Sequence, residues 1–132
     1  MGRPKIVAGN WKMNLSISEG QKLAEDIHKY SQLHLPGTNV KVILCPPFTH
    51  LSTVGFVLKE SEIKLGAQDC HFEPSGAYTG DVSAPMIAST GASYCIIGHS
   101  EHRANYNEPD RIINAKLQAV LRQNMTPILC FG

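Results

Sequence analysis

The chain has 132 residues, the size of one domain, with 42% apolar residues and 12 basic against 11 acidic side chains, a formal net charge of +1. So even a balance excludes the electrostatic footprint of a nucleic-acid or anionic-membrane binder, and no apolar run approaches the roughly 18 residues a membrane span needs. Residues 1–10 contain no secretory apolar segment and have Ile6 where a myristoylation signal requires Ser or Thr, so a cytoplasmic location is expected.

Residues 5–9 (KIVAG) form the first of five apolar segments rich in β-branched residues. Ser16 and Glu19 fit a capping box, after which Leu23, Ile27 and Tyr30 mark one face of a first helix. Residues 40–45 (VKVILC) give a second strand, and Leu51, Val54 and Leu58 suggest a second helix. A third strand, 63–68 (IKLGAQ), leads into residues 70–84, which contain Pro74, Gly76 and Gly80 and have no period. Loops that long are usually functional or disordered. Pro85, Met86 and Ile87 read as a short third helix, started near Ser83 or Ala84 and closed by Gly91. Residues 93–98 (SYCIIG) form a fourth strand that Gly98 ends, with Ser100 to Arg103 resembling the first turn of a helix. Pro109 and Asp110 then open the clearest helix, whose stripe is Ile113, Leu117, Val120 and Leu121 and whose end Asn124 can make in the left-handed conformation. Residues 127–131 (PILCF) supply the fifth strand.

Alternating strands and helices predict a parallel sheet with right-handed crossovers, in one domain over residues 1–132 with no internal boundary. Two architectures fit: an open five-stranded flavodoxin-like sheet, which would make a non-catalytic binding or signalling module, and the first part of an eight-fold barrel of about 250 residues. Cys45, Cys95 and Cys130 lie in apolar runs and Cys70 follows another, so all four are expected as small core residues. No CxxC pair occurs, and His99 and His102 have no third ligand beside them in the sequence; no metal is expected.

The strand ends carry the chemistry, because ligands of parallel α/β folds bind at the carboxyl ends of strands. After the first strand, Asn10 and Lys12 stand two residues apart, on one side of a continuing extended chain. An ammonium and an amide suit a phosphorylated or oxyanionic ligand, although a solvated turn has the same composition. After the fourth strand comes His99, at a helix start whose partial positive charge favours the uncharged imidazole, a donor to a polarised oxygen. Glu101 can pair with Lys12 or Arg103. Residues 98–102 (GHSEH) imitate a nucleophile elbow but end in His102, where a small residue is needed. A phosphoacceptor receiver would use Asp69 and Ser100, yet it lacks its acidic pair after the first strand and its lysine after the fifth. No dinucleotide or P-loop glycine motif occurs.

The segments AGNWKMN, GAQDC, SGAYTGDVSAPMI and YCIIGHSEHR, in this order and spacing, resemble the triosephosphate isomerase family along the whole chain. The resemblance implies a (β/α)8 TIM barrel, of which this chain supplies the first four β/α units and the fifth strand. It also implies a cofactor-free homodimer that interconverts dihydroxyacetone phosphate and glyceraldehyde 3-phosphate through an enediolate, in glycolysis and gluconeogenesis. By motif, Asn10 and Lys12 bind the triose phosphate, Lys12 also stabilising developing charge, and His99 is the catalytic electrophile. Ser100 and Glu101 support that loop. Thr79, near the tip of the long loop, and Met13 mark the dimer contact. The family's glutamate base follows its sixth strand and its phosphate-gripping loops follow the sixth to eighth, whereas this sequence stops after the fifth. The chain is therefore expected to be the amino-terminal part of such an enzyme and inactive alone.

Overall fold

The computed structural model describes residues 2–132. Strand β1 (Lys5–Asn10) leads to helix α1 (Ile17–His34) and strand β2 (Val40–Cys45). A 3-10 turn (Phe48–His50) runs into α2 (Leu51–Val57), followed by β3 (Lys64–Ala67) and α3 (Ala84–Ser89). Then come β4 (Tyr94–Ile97), α4 (Ser100–Tyr106), α5 (Asp110–Arg122) and β5 (Thr126–Leu129).

The strands pair in the order β1-β2-β3-β4-β5, and every pair is parallel. This decides between the two architectures. A flavodoxin-like sheet reverses its winding at a switch point, which sends helices to both faces. Here the order never reverses, so right-handed crossovers place the helices on one face, as in a barrel wall. The chain forms a half-barrel of five parallel strands, and the flavodoxin-like alternative falls.

Burial follows from that geometry. The main core joins strands to helices through Leu44, Leu65, Cys95 and Ile97 with Leu51, Val54, Ile87 and Val120. Burying each of the larger side chains contributes about 1.5–3 kcal/mol. A smaller cluster of Ile43, Cys45 and Ile96, flanked by Tyr94, Ile128 and Cys130, forms on the opposite face.

The elements start and stop where local chemistry dictates. Ser16 Oγ accepts the Glu19 backbone N–H while the Glu19 carboxylate accepts the Ser16 backbone N–H, so the capping box is formed. Ser83 caps α3 by accepting the Met86 N–H. Asn124 ends the last helical segment in the left-handed conformation, with φ 58°.

Two helix faces differ from the sequence reading. In α1, Gly20, Ala24 and Ser31 are buried, whereas Leu23 and Tyr30 are exposed. Gly20 is needed there because a Cβ would come within 2.6 Å of the His50 ring. The contact face of α1 is thus set by small residues that let it approach the α2 region, a signal that apolar periodicity misses. In α5, Ile113 and Val120 are buried as expected, but Leu121 is exposed and Lys116 is buried. Its stripe has a charge in the middle. Cys45, Cys70 and Cys95 are core residues, while Cys130 is only half-buried. Among the described residues no helix is long and apolar enough to cross a membrane.

Candidate active site

The first strand ends at Asn10, and the chain does not continue extended. Lys12 takes the left-handed conformation, φ 57°, a region that costs a non-glycine residue about 1–2 kcal/mol. Three contacts hold it there. Asn10 Oδ1 accepts the Lys12 N–H at 3.0 Å, Gln68 Nε2 donates to the Lys12 carbonyl at 2.9 Å, and Lys12 Nζ donates to Glu101 Oε1 at 2.7 Å. The same Gln68 amide donates to the carbonyl of Cys45 at 2.8 Å, tying the ends of β1, β2 and β3 together. Asn10 and Lys12 are therefore brought together by a turn, correcting the expectation of a common side of one strand.

The fourth strand ends at Gly98, φ 71°, where a Cβ would lie 2.9 Å from Arg103 Nη2 and 3.2 Å from the Cys130 carbonyl. Only glycine fits that close approach. His99 then caps α4: its Nδ1 accepts the Glu101 backbone N–H at 3.1 Å. An Nδ1 used as acceptor leaves the ring proton on Nε2, the outward nitrogen. Glu101 Oε2 lies 3.6 Å from the same Nδ1 while Oε1 holds Lys12, so one carboxylate spans the two groups. The hydrogen bond from Lys12 is the largest influence on Glu101 and holds its carboxyl below the ordinary carboxylate range, with the Lys12 charge acting in the same direction.

Arg103 closes the neighbouring strand end. Its guanidinium donates to the Gly98 carbonyl at 2.8 Å, the Cys130 carbonyl at 2.9 Å and Asp110 Oδ1 at 3.0 Å, linking the ends of β4 and β5. A cavity of about 510 Å³ opens here, lined by His99, Ser100, Arg103, Asp110, Cys130 and Phe131 among others. A larger one, about 630 Å³, lies at the opposite end of the strands beside Lys64 and Ser93, away from these groups. We place the chemistry at the smaller cavity, because Lys12, His99 and Glu101 gather at its end of the sheet.

The remaining sequence candidates lie as follows. Ser100 opens α4 on the cavity wall. Met13 is 94% exposed beside Lys12. Thr79 is exposed in the loop between His71 and Ser83, whose base is anchored by a parallel bridge between those two residues and whose aromatic side chains stack, His71 against Phe72 and Tyr78. The histidine pair separates: His99 faces the cavity, whereas His102 lies 3.5 Å from Asp69 Oδ2 and 3.7 Å from Glu108 Oε2.

Comparison with known proteins gives the family. The family model described as triosephosphate isomerase matches residues 5–132. The chain belongs to the triosephosphate isomerase family. Triosephosphate isomerase from Bacteroides fragilis is 47% identical over 130 residues, covering 98% of this chain and 51% of that protein. The triosephosphate isomerase of Aquifex aeolicus is 40% identical over 128 residues, 97% of this chain and 51% of the relative. The crystal structure of triosephosphate isomerase from Bartonella henselae superposes with a TM-score of 0.85 at 40% identity, covering 98% of this chain and 52% of that one. The chain thus spans about half the length of the triosephosphate isomerases it matches.

Two contributors to the site's geometry went unassigned in the sequence. Gln68 was visible only as the polar residue of GAQD, and nothing local says that its amide crosses to Lys12 and Cys45. Arg103 offered a charge near His99, but its bonds to two strand-end carbonyls depend on β4 and β5 being neighbours.

Proposed function

We propose that this chain carries the Asn10, Lys12 and His99 side of a triosephosphate isomerase site, completed by further strands into a (β/α)8 barrel. The substrate is a triose phosphate, no cofactor takes part, and the protein works as a cytoplasmic homodimer in which Thr79 docks near Met13 of a second copy. One observation carries the reading: the Lys12 ammonium is fixed 2.7 Å from Glu101 while the same carboxylate lies beside His99.

That arrangement performs two tasks. Lys12 presents a preset positive charge to the phosphate and to the oxygen on which negative charge develops. His99 presents its Nε2 proton to the carbonyl, drawing electron density onto oxygen as a base removes the neighbouring carbon-bound proton. The resulting enediolate is then reprotonated on the adjacent carbon. The base is a carboxylate from outside these residues. Within them, Glu101 is held by Lys12, Asp110 by Arg103 and Glu108 by Lys116.

The test is His99→Gln in the complete protein. Removing a donor of this kind costs about 3 kcal/mol of barrier, so turnover should fall roughly a hundredfold. The melting temperature should hold, since the ring sits at a cavity mouth. Unchanged turnover in the folded variant would remove His99 from the mechanism.

A further inference from the structure

One helical turn past His99, three side chains from three different segments converge. Asp69 follows β3, His102 lies on α4, and Glu108 precedes α5. A ligand atom from each lies within 4.8 Å of the others. His102 Nδ1 is 3.5 Å from Asp69 Oδ2 and 3.7 Å from Glu108 Oε2. Both distances are too long for a hydrogen bond, and Nδ1 makes none elsewhere among the described residues. They match the edges of a tetrahedron around an ion with bonds of about 2.0–2.2 Å, which are about 3.3–3.6 Å long.

A cation already sits against the group. Lys116 Nζ lies 3.0 and 3.1 Å from the two Asp69 oxygens and 2.5 Å from Glu108 Oε2, with only 9% of its side chain exposed. One ammonium faces two carboxylates, so one negative charge remains unmatched. The second oxygen of Glu108, on a side chain only 7% exposed, is buried with no hydrogen-bond partner. A buried carboxylate in that condition still has capacity for a cation or a donor. Burial, the largest influence on Asp69, holds its carboxyl above the ordinary range although Lys116 and His102 pull it down.

We propose that Asp69, His102 and Glu108 form a zinc-class divalent-cation site whose resident occupant is the Lys116 ammonium, and that a metal ion binds by displacing it. One imidazole nitrogen with two carboxylate oxygens is a zinc donor set, leaving a fourth position for water. The four-carbon stem of Lys116 lets its head swing away without moving α5. His102, 35% exposed on its side chain, forms the wall through which an ion enters. The site lies behind α4, outside the cavity assigned to the isomerase reaction.

Cobalt(II) reports such a site through its visible d–d absorption. Titrated into the purified protein, Co2+ should give saturable bands that Zn2+ displaces and that vanish in His102→Gln. Lys116→Met should lower the half-saturating Co2+ concentration by about tenfold or more, the scale on which a neighbouring group alters metal affinity. Bands that persist in His102→Gln, or a folded Lys116→Met protein that binds no more tightly than wild type, would overturn the assignment. Should Lys116→Met not fold, the wild-type and His102→Gln pair decides alone: no saturable band in wild type at millimolar Co2+ sinks the proposal.

Discussion

Lys12 is the residue on which the proposed site turns, and its placement is costly: a left-handed backbone held by Asn10, Gln68 and Glu101. Its ammonium is 54% exposed on the side chain, so the ion pair positions charge more than it stabilises the fold. Lys12→Ala should weaken binding of phosphate-bearing inhibitors to the complete protein and lower its rate together; inhibitors bound as tightly as before would exclude Lys12 from the phosphate site. The pH dependence has a definite sign. A carboxyl held below its ordinary value contributes interaction that is complete above the ordinary carboxylate range and lost as pH falls through the lowered value. The clamp should therefore persist throughout neutral and mildly acid pH. In a carboxyl NMR titration, Glu101 should protonate at lower pH in wild type than in Lys12→Ala, and coincident midpoints would show that the contact is not made in solution. Among buried residues, Cys45 is inert for a simple reason: desolvation pushes its thiol up to about 12.

Elements carry the geometry from residue to residue. Helix α1 depends on its capping box for the first turn, and Ser16→Ala should cost about 1 kcal/mol in urea denaturation; an unaltered midpoint would mean that this end contributes nothing to stability. Helix α4 is short, but by beginning at His99 it fixes one residue as both cap and proposed electrophile. The sequence supplied its first turn but not its extent, because the stop at Asn107 is a left-handed residue, φ 49°, with no glycine to mark it. The long loop after β3 lacks a helix or strand of its own and is shaped by the stack of His71, Phe72 and Tyr78 at its base. Deleting residues 76–80 in the complete protein should give monomers of low activity. Sedimentation showing an intact dimer would dismiss the proposed docking of Thr79 near Met13.

At the scale of the molecule, a row of five parallel strands has two edges, β1 and β5, and a face whose apolar cluster is small. Unpaired strand edges invite further pairing. Residues 1–132 assayed alone should show no triose phosphate interconversion above background, because no carboxylate here is free and opposed to His99, and general-base catalysis needs one within hydrogen-bond reach of the proton. Nor does this half carry the enclosure that protects an enediolate from solvent. Adding a polypeptide that supplies the remaining strands of a relative's barrel should restore activity wherever the halves dock. Substantial turnover by residues 1–132 alone, abolished in His99→Gln, would overturn the expectation and place a base among them.

Sequence by itself determined what is local. Five strands, the capping box at Ser16, the cap at Ser83 and the left-handed stop at Asn124 follow from propensity, side-chain hydrogen bonding and steric limits on φ. The family motifs likewise put Asn10, Lys12 and His99 at strand ends. Tertiary structure alone decided which strand neighbours which, and with that the choice between an open sheet and a barrel wall. It also decided which helix residues face inward. Lys116 reads as solvent-facing by composition, yet it is buried because Asp69 and Glu108, 47 and 8 residues away in sequence, supply its partners. The reason is physical: a buried charge is tolerable only beside its counter-charge, and such a pairing depends on distance in space, which periodicity along the chain does not encode.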